Sequence, residues 1–203
     1  MAEQAGQGVA ESGKSGHDVA DSPLGRAVRR LLVDNAFALA KAPRIGADIA
    51  GKVWNLPNTA IGLGYGLAGY AAGQVNRLRP GDQPNDPRIR LGNNAVEFIN
   101  NPWTTGAITL GNTISYNGDP YDPKDEGWPL YEEKYGHSIQ QHEKQHTYQG
   151  QQLGPFYLPS NIAGLALSAL QGETDKFNKV WAGSSNWNER GPQMNPPRPW
   201  AKP

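Results

Sequence analysis

A chain of 203 residues is long enough to close one domain around a real core, with an extension to spare. Nineteen basic and nineteen acidic residues cancel, which removes electrostatic capture of nucleic acid or of an anionic membrane as a driving force. There is no cysteine, so disulfides, thiolate zinc sites and a cysteine nucleophile are excluded, and oxidising and reducing compartments are equally open. Glycine at 25 and proline at 17 predict many turns and few long regular elements.

Residues 1–22 are Gly, Ala, Ser, Gln and charge, the composition of a flexible arm or linker. They lack the basic n-region and apolar h-region of a secretory signal. Gly8–Ser15 matches the P-loop pattern literally, but no buried strand precedes it to aim backbone N–H groups at phosphates, so no nucleotide site is expected. From Pro23 the pattern changes, and the domain is expected over 23–203. Leu24, Ala27, Val28, Leu31, Leu32, Phe37 and Leu39 recur at helical spacing until Pro43, and a second short helix is predicted over Ile45–Trp54.

Residues 53–76 carry no formal charge and contain Gly62-xxx-Gly66 and Gly69-xxx-Gly73. Paired small residues let helices approach closely, as in membranes. Pro57, Asn58, Thr59 and Gln74 shorten the clean apolar stretch below a span, however, so a helix packed closely on a neighbour is expected and membrane contact is the second reading. Residues 78–90 read as a loop and Asn94–Ile99 as a short helix. Ala107–Leu110 and Thr113–Tyr116 alternate around Gly111-Asn112, which predicts a β-hairpin that could border a cleft and receive an added strand. Asn117–Tyr135 is expected as an aromatic, proline-rich loop.

Ser138 followed by Gln141 is a capping-box pattern, and Gly154-Pro155 is a stop signal, so a helix is predicted from about Ser138 to Leu153. Inside it lies His142-Glu143-Lys144-Gln145-His146, a HExxH motif. Histidines four apart on a helix leave it about 40° apart around the axis. Both imidazoles can therefore share one Zn²⁺, with Glu143 beside it as general base. Beyond it, Ser160 is the expected cap of an apolar helix running to about Leu170, with Gly172 to end it. The proline-rich tail from Pro192 reads as an extended polyproline strap.

A catalytic zinc needs a third protein ligand and an open position. No histidine follows His146, and His17 and His137 precede it, which leaves the later carboxylates Glu173, Asp175 and Glu189. His142-Glu143-xx-His146-xx-Gln149 with Leu153–Asn161 resembles the zincin-type metallopeptidase toxin domains of bacterial secretion effectors. Trp54–Ala60 and Asn101-Pro102-Trp103 resemble C-terminal extensions of type VI secretion spike proteins.

The resemblance implies a Glu about forty residues beyond the second histidine, after an aromatic, as third ligand. Glu189 after Trp187 fits that place better than Glu173. It also implies peptide-bond hydrolysis of a protein or peptide substrate, delivery to the periplasm of a competing Gram-negative cell, a spike as parent protein and a cognate immunity protein. The fold expected is a mainly α (α+β) zincin-like domain with one small hairpin. Zinc is expected on His142, His146 and Glu189, with Glu143 as the catalytic base and Tyr148, Tyr157 or His137 as the oxyanion donor. The rival expectation is a membrane-active or protein-binding module in which the HExxH is structural or vestigial.

Overall fold

The computed structural model describes residues 44–79, 86–125 and 127–201. The expected arm, the P-loop match and the apolar run before Pro43 lie outside the described residues, as does part of the loop expected over 78–90. The described residues are mainly helical, with one small sheet among them, which is the α+β class expected. In chain order the elements are α1 (Arg44–Trp54), α2 (Leu56–Arg77), β1 (Arg88–Gly92), β2 (Ala95–Ile99), β3 (Ala107–Leu110), β4 (Thr113–Tyr116), α3 (Gly127–Tyr135), α4 (Ile139–Leu153), α5 (Tyr157–Gln171) and α6 (Trp187–Arg190). Short 3₁₀ turns at Gly154–Phe156 and Val180–Ala182 join the last of these.

The expected hairpin is present as β3 and β4, with Gly111 at φ 66° in the turn. It is half of a four-stranded sheet of order β1-β2-β4-β3, in which β2 and β4 run parallel and the other pairs antiparallel. The helix expected at Asn94–Ile99 is instead strand β2. Asn93 and Asn94 take φ 47° and 65° and turn the chain tightly, as hairpin asparagines do. The β-branched and aromatic run that follows then pairs on both sides.

Helix α2 lies against this sheet by its glycines. Its buried residues are Asn58, Gly62, Gly66, Gly69 and Gly73. A Cβ at Gly62 would stand 1.8 Å from Thr113 Oγ1, and one at Gly66 2.1 Å from the Phe98 ring. The paired glycines thus serve a close helix–sheet approach. Among the described residues no helix is long and apolar enough to cross a membrane.

Two further expectations are corrected. Gly127–Tyr135, expected as loop, is helix α3, because Pro129 falls in the first turn where its missing N–H costs nothing. Helix α5 begins at Tyr157, not Ser160. Ser160 lies within the helix and its Oγ accepts from Trp187 Nε1 at 2.9 Å and Asn188 Nδ2 at 3.1 Å, so it is an anchor for α6. Gly172 ends α5 at φ 64°, as expected. The tail is not an extended strap. Met194 N and Arg198 N both donate to Gly191 O, which folds it back so that Trp200 is buried.

The core is in two parts with α4 between them. Ile139 at its start joins Ile99, Ile114 and Tyr116, and Leu153 at its end joins Tyr157, Trp187 and Trp200. The α1–α2 junction braces its far end, where Asn58 Nδ2 donates to Gly154 O at 2.6 Å, and ties in the β3–β4 turn, where Asn55 Nδ2 donates to Asn112 Oδ1 at 2.9 Å. The motif lies in the middle of α4, between these two packed ends.

Candidate metal centre

Helix α4 starts where the capping box puts it. Gln141 N donates to Ser138 Oγ, and Ser138 N donates back to Gln141 Oε1. His142 and His146 then leave the same face, both buried, with their Nε2 atoms 3.1 Å apart. Helix α6, capped by the Asn186 side chain, brings Glu189 to them from far along the chain. Glu189 Oε2 is 3.3 Å from His142 Nε2, and Oε1 is 3.5 Å from His146 Nε2. These three side chains form a cluster of buried potential metal ligands.

The donor set fits a zinc ion. Tetrahedral Zn²⁺ with ligand atoms at about 2.0–2.1 Å separates those atoms by about 3.3 Å, close to the three separations here. The opposite ring nitrogens are occupied. His146 Nδ1 lies 2.8 Å from Gln149 Oε1, and Gln149 Nε2 donates to Asn188 O at 2.7 Å and to Pro199 O. With its amide turned that way, Gln149 can only accept, so His146 Nδ1 carries a proton and Nε2 is the ring nitrogen left to face a metal. His142 Nδ1 is 2.7 Å from the Tyr131 hydroxyl.

Charge in the cluster balances. Burial opposes a charge on His146, but the Glu189 carboxylate outweighs it and raises the imidazole to about 9. Burial likewise opposes ionised Glu189, yet His146 and His142 hold its carboxyl well below the usual range. Burial, then the nearby Glu143 charge, pushes the Tyr131 and Tyr157 hydroxyls up, so both keep their protons. His137 is lowered by burial and then by His142, on which its ring stacks at 6.2 Å.

Glu143 is buried beside the cluster, and its Oε2 accepts from Thr109 Oγ1 at 2.6 Å. Thr109 belongs to β3, an edge strand, which runs along α4. A two-residue turn makes Leu110↔Thr113 the closing hydrogen-bonded pair, so the backbone groups of Ala107 and Thr109 point away from β4. The Tyr157 hydroxyl donates to Thr109 O at 3.3 Å on that outer side. Strand, cluster and α5 line one cleft of about 890 Å³.

The other residues named from sequence fall outside the cluster. Glu173 Oε2 accepts from Ser185 N at 2.6 Å, and Asp175 accepts from Tyr135 OH at 2.9 Å and from the backbone of Phe177 and Lys179. Of the three oxyanion candidates Tyr157 lines the cleft, whereas Tyr148 and His137 do not. Thr109 and Tyr131 had no local signal, since each meets the motif only through the tertiary fold. No family model matches the chain, and no curated protein or solved structure matches it either.

Proposed function

We propose that the protein is a zinc-dependent metallopeptidase in which His142, His146 and Glu189 hold the metal and Glu143 is the general base. One observation carries this reading: three buried ligand atoms, two from a HExxH helix and one from α6, meet at zinc spacing, and Glu143 of that helix faces the same cleft. When bound, zinc supplies Lewis acidity toward a carbonyl and makes water acidic enough to lose a proton near neutral pH. Glu143 would take a proton from the attacking water and return it to the leaving amine nitrogen, with the Thr109 hydroxyl fixing its carboxylate. Ala107 offers outward backbone groups to an extended substrate, and Tyr157 keeps a hydroxyl proton for the oxygen of the attacked carbonyl. On the resemblance alone we place the chain among secreted antibacterial effectors acting in a target-cell periplasm, with a spike protein as parent and an immunity protein as inhibitor.

The test is Glu143→Gln in the full chain. The variant retains one zinc per chain and the parent melting curve but loses peptide cleavage and toxicity to periplasm-exposed bacteria. Full toxicity in Glu143→Gln, or a parent chain that dialyses free of zinc, overturns the proposal. The rival, a membrane-active or protein-binding module, draws on the outer face of α2, where Leu56, Ile61, Leu67 and Val75 are exposed. Release of dye from liposomes by Glu143→Gln at the parent rate would favour that rival.

A further inference from the structure

We infer that the cleft is shaped for a polypeptide whose bulky apolar side chains flank the bond to be cut, an inference that rests on the peptidase reading above. Single exposed apolar residues are normal on any surface, whereas a gathered set marks a binding surface. Here Trp103, Ile108, Ile162, Leu165 and Trp181 are all exposed, and all line the one cleft that holds the histidine–carboxylate cluster. They stand on both the β3 segment and the α5 side of it.

The Trp103 ring has an aromatic neighbour, and the Trp181 backbone is tied to the loop before α6. Trp103 N donates to Asn101 Oδ1 at 3.0 Å, its carbonyl accepts from Tyr65 OH at 2.8 Å, and its ring lies 6.3 Å from the Tyr65 ring. Trp181 O accepts from Asn186 Nδ2 at 2.6 Å, in the loop that leads into α6. Aromatic side chains placed in advance lose little freedom when a partner arrives, so their contact area goes into affinity.

The charged groups of the lining are already engaged within the protein. Asp175 holds Tyr135, Phe177 and Lys179, Glu143 holds Thr109, and Asp125 accepts from Asp119 N at 3.1 Å. Glu189 is committed to the two histidines, and the Lys179 ammonium lies 5.4 Å over the Trp181 ring. A charged substrate side chain would therefore lose its hydration for little return, while an apolar one gains contact with the rim.

Two measurements on the zinc-loaded full chain decide this. Fluorescein-labelled decapeptides with Leu, Ser, Asp or Lys at the central pair are titrated into the Glu143→Gln chain and followed by anisotropy. The same peptides are digested by the parent, and the cut bonds are read by mass spectrometry. The Leu peptide should bind, and be cut, with a preference of roughly tenfold or more over the Ser peptide. Trp103→Ala and Ile162→Ser should each shrink that preference severalfold with zinc per chain unchanged. Equal binding of all four peptides, a preference for Asp or Lys, or an undiminished preference in both variants overturns the inference. Cutting without an apolar preference would leave the peptidase reading standing and sink this one. Leu-selective binding with no cutting would do the reverse.

Discussion

Helices α2 and α4 invert the usual relation between hydropathy and burial. Helix α2 has no charged residue before Arg77, yet it buries Asn58 and four glycines and turns Leu56, Ile61, Leu67 and Val75 outward. Helix α4 is rich in glutamine, yet it buries His142, Glu143, His146, Thr147, Gln149 and Gln151. In α2, burial is decided by shape: only a face without Cβ atoms lets the helix backbone settle on Phe98 and Thr113. In α4 it is decided by partners, since Thr109, Tyr131, Asn188 and Glu189 satisfy the polar atoms that enter.

The contrast is most sharply broken at the buried face of α2. Gly66→Leu must displace the Phe98 ring from 2.1 Å, and should cost about 3 kcal/mol or more in urea unfolding. Leu67→Ser, one residue on but facing outward, should stay within about 0.5 kcal/mol of the parent. Similar losses from both would mean that the leucine face is also covered.

On α4 the partners are the target. Glu189→Ala removes the anionic ligand and should leave the site largely empty after dialysis. Glu173→Ala strips the Ser185 N–H of its acceptor, and should cost about 1–3 kcal/mol of stability while keeping one zinc per chain. Depletion in Glu173→Ala, with full zinc in Glu189→Ala, would reverse the ligand assignment.

Smaller effects are expected one bond further out. Gln149→Leu and Tyr131→Phe keep the shape of the helix packing but release a ring nitrogen. Each should weaken zinc binding about 10–100-fold, Gln149→Leu the more because three segments meet at its amide. Competition with a chromophoric chelator reads the affinity, and parent-like values in both would show that the rings are held by packing alone.

What the sequence made legible was local. The capping box, the Gly111-Asn112 turn, the glycine pairs and Gly172 each act within a few residues, and each is found where its spacing indicated. Glu189 was reached through resemblance, since no rule of spacing links it to a helix so far back in the chain. Strand β2 was misread because six residues hold too little periodicity to separate strand from helix, and the Asn93-Asn94 turn was not recognised. Helix α3 was masked by Pro129 in its first turn, and Thr109 and Tyr131 gain their roles only from bonds across the fold.

The Gln149 amide has a consequence for the order of events in folding. Its partners Asn188 and Pro199 lie 39 and 50 residues away in sequence, and Glu189 comes with them. The capping box and the i to i+4 ladder can form α4 within the time of local helix growth, whereas bringing in those distant segments must first overcome the entropy of closing long loops. A refolding chain therefore has its histidine pair early and its third ligand late. Tight zinc capture then reports the arrival of the C-terminal segments, and stopped-flow zinc uptake should follow the slow phase of folding, not the helix signal.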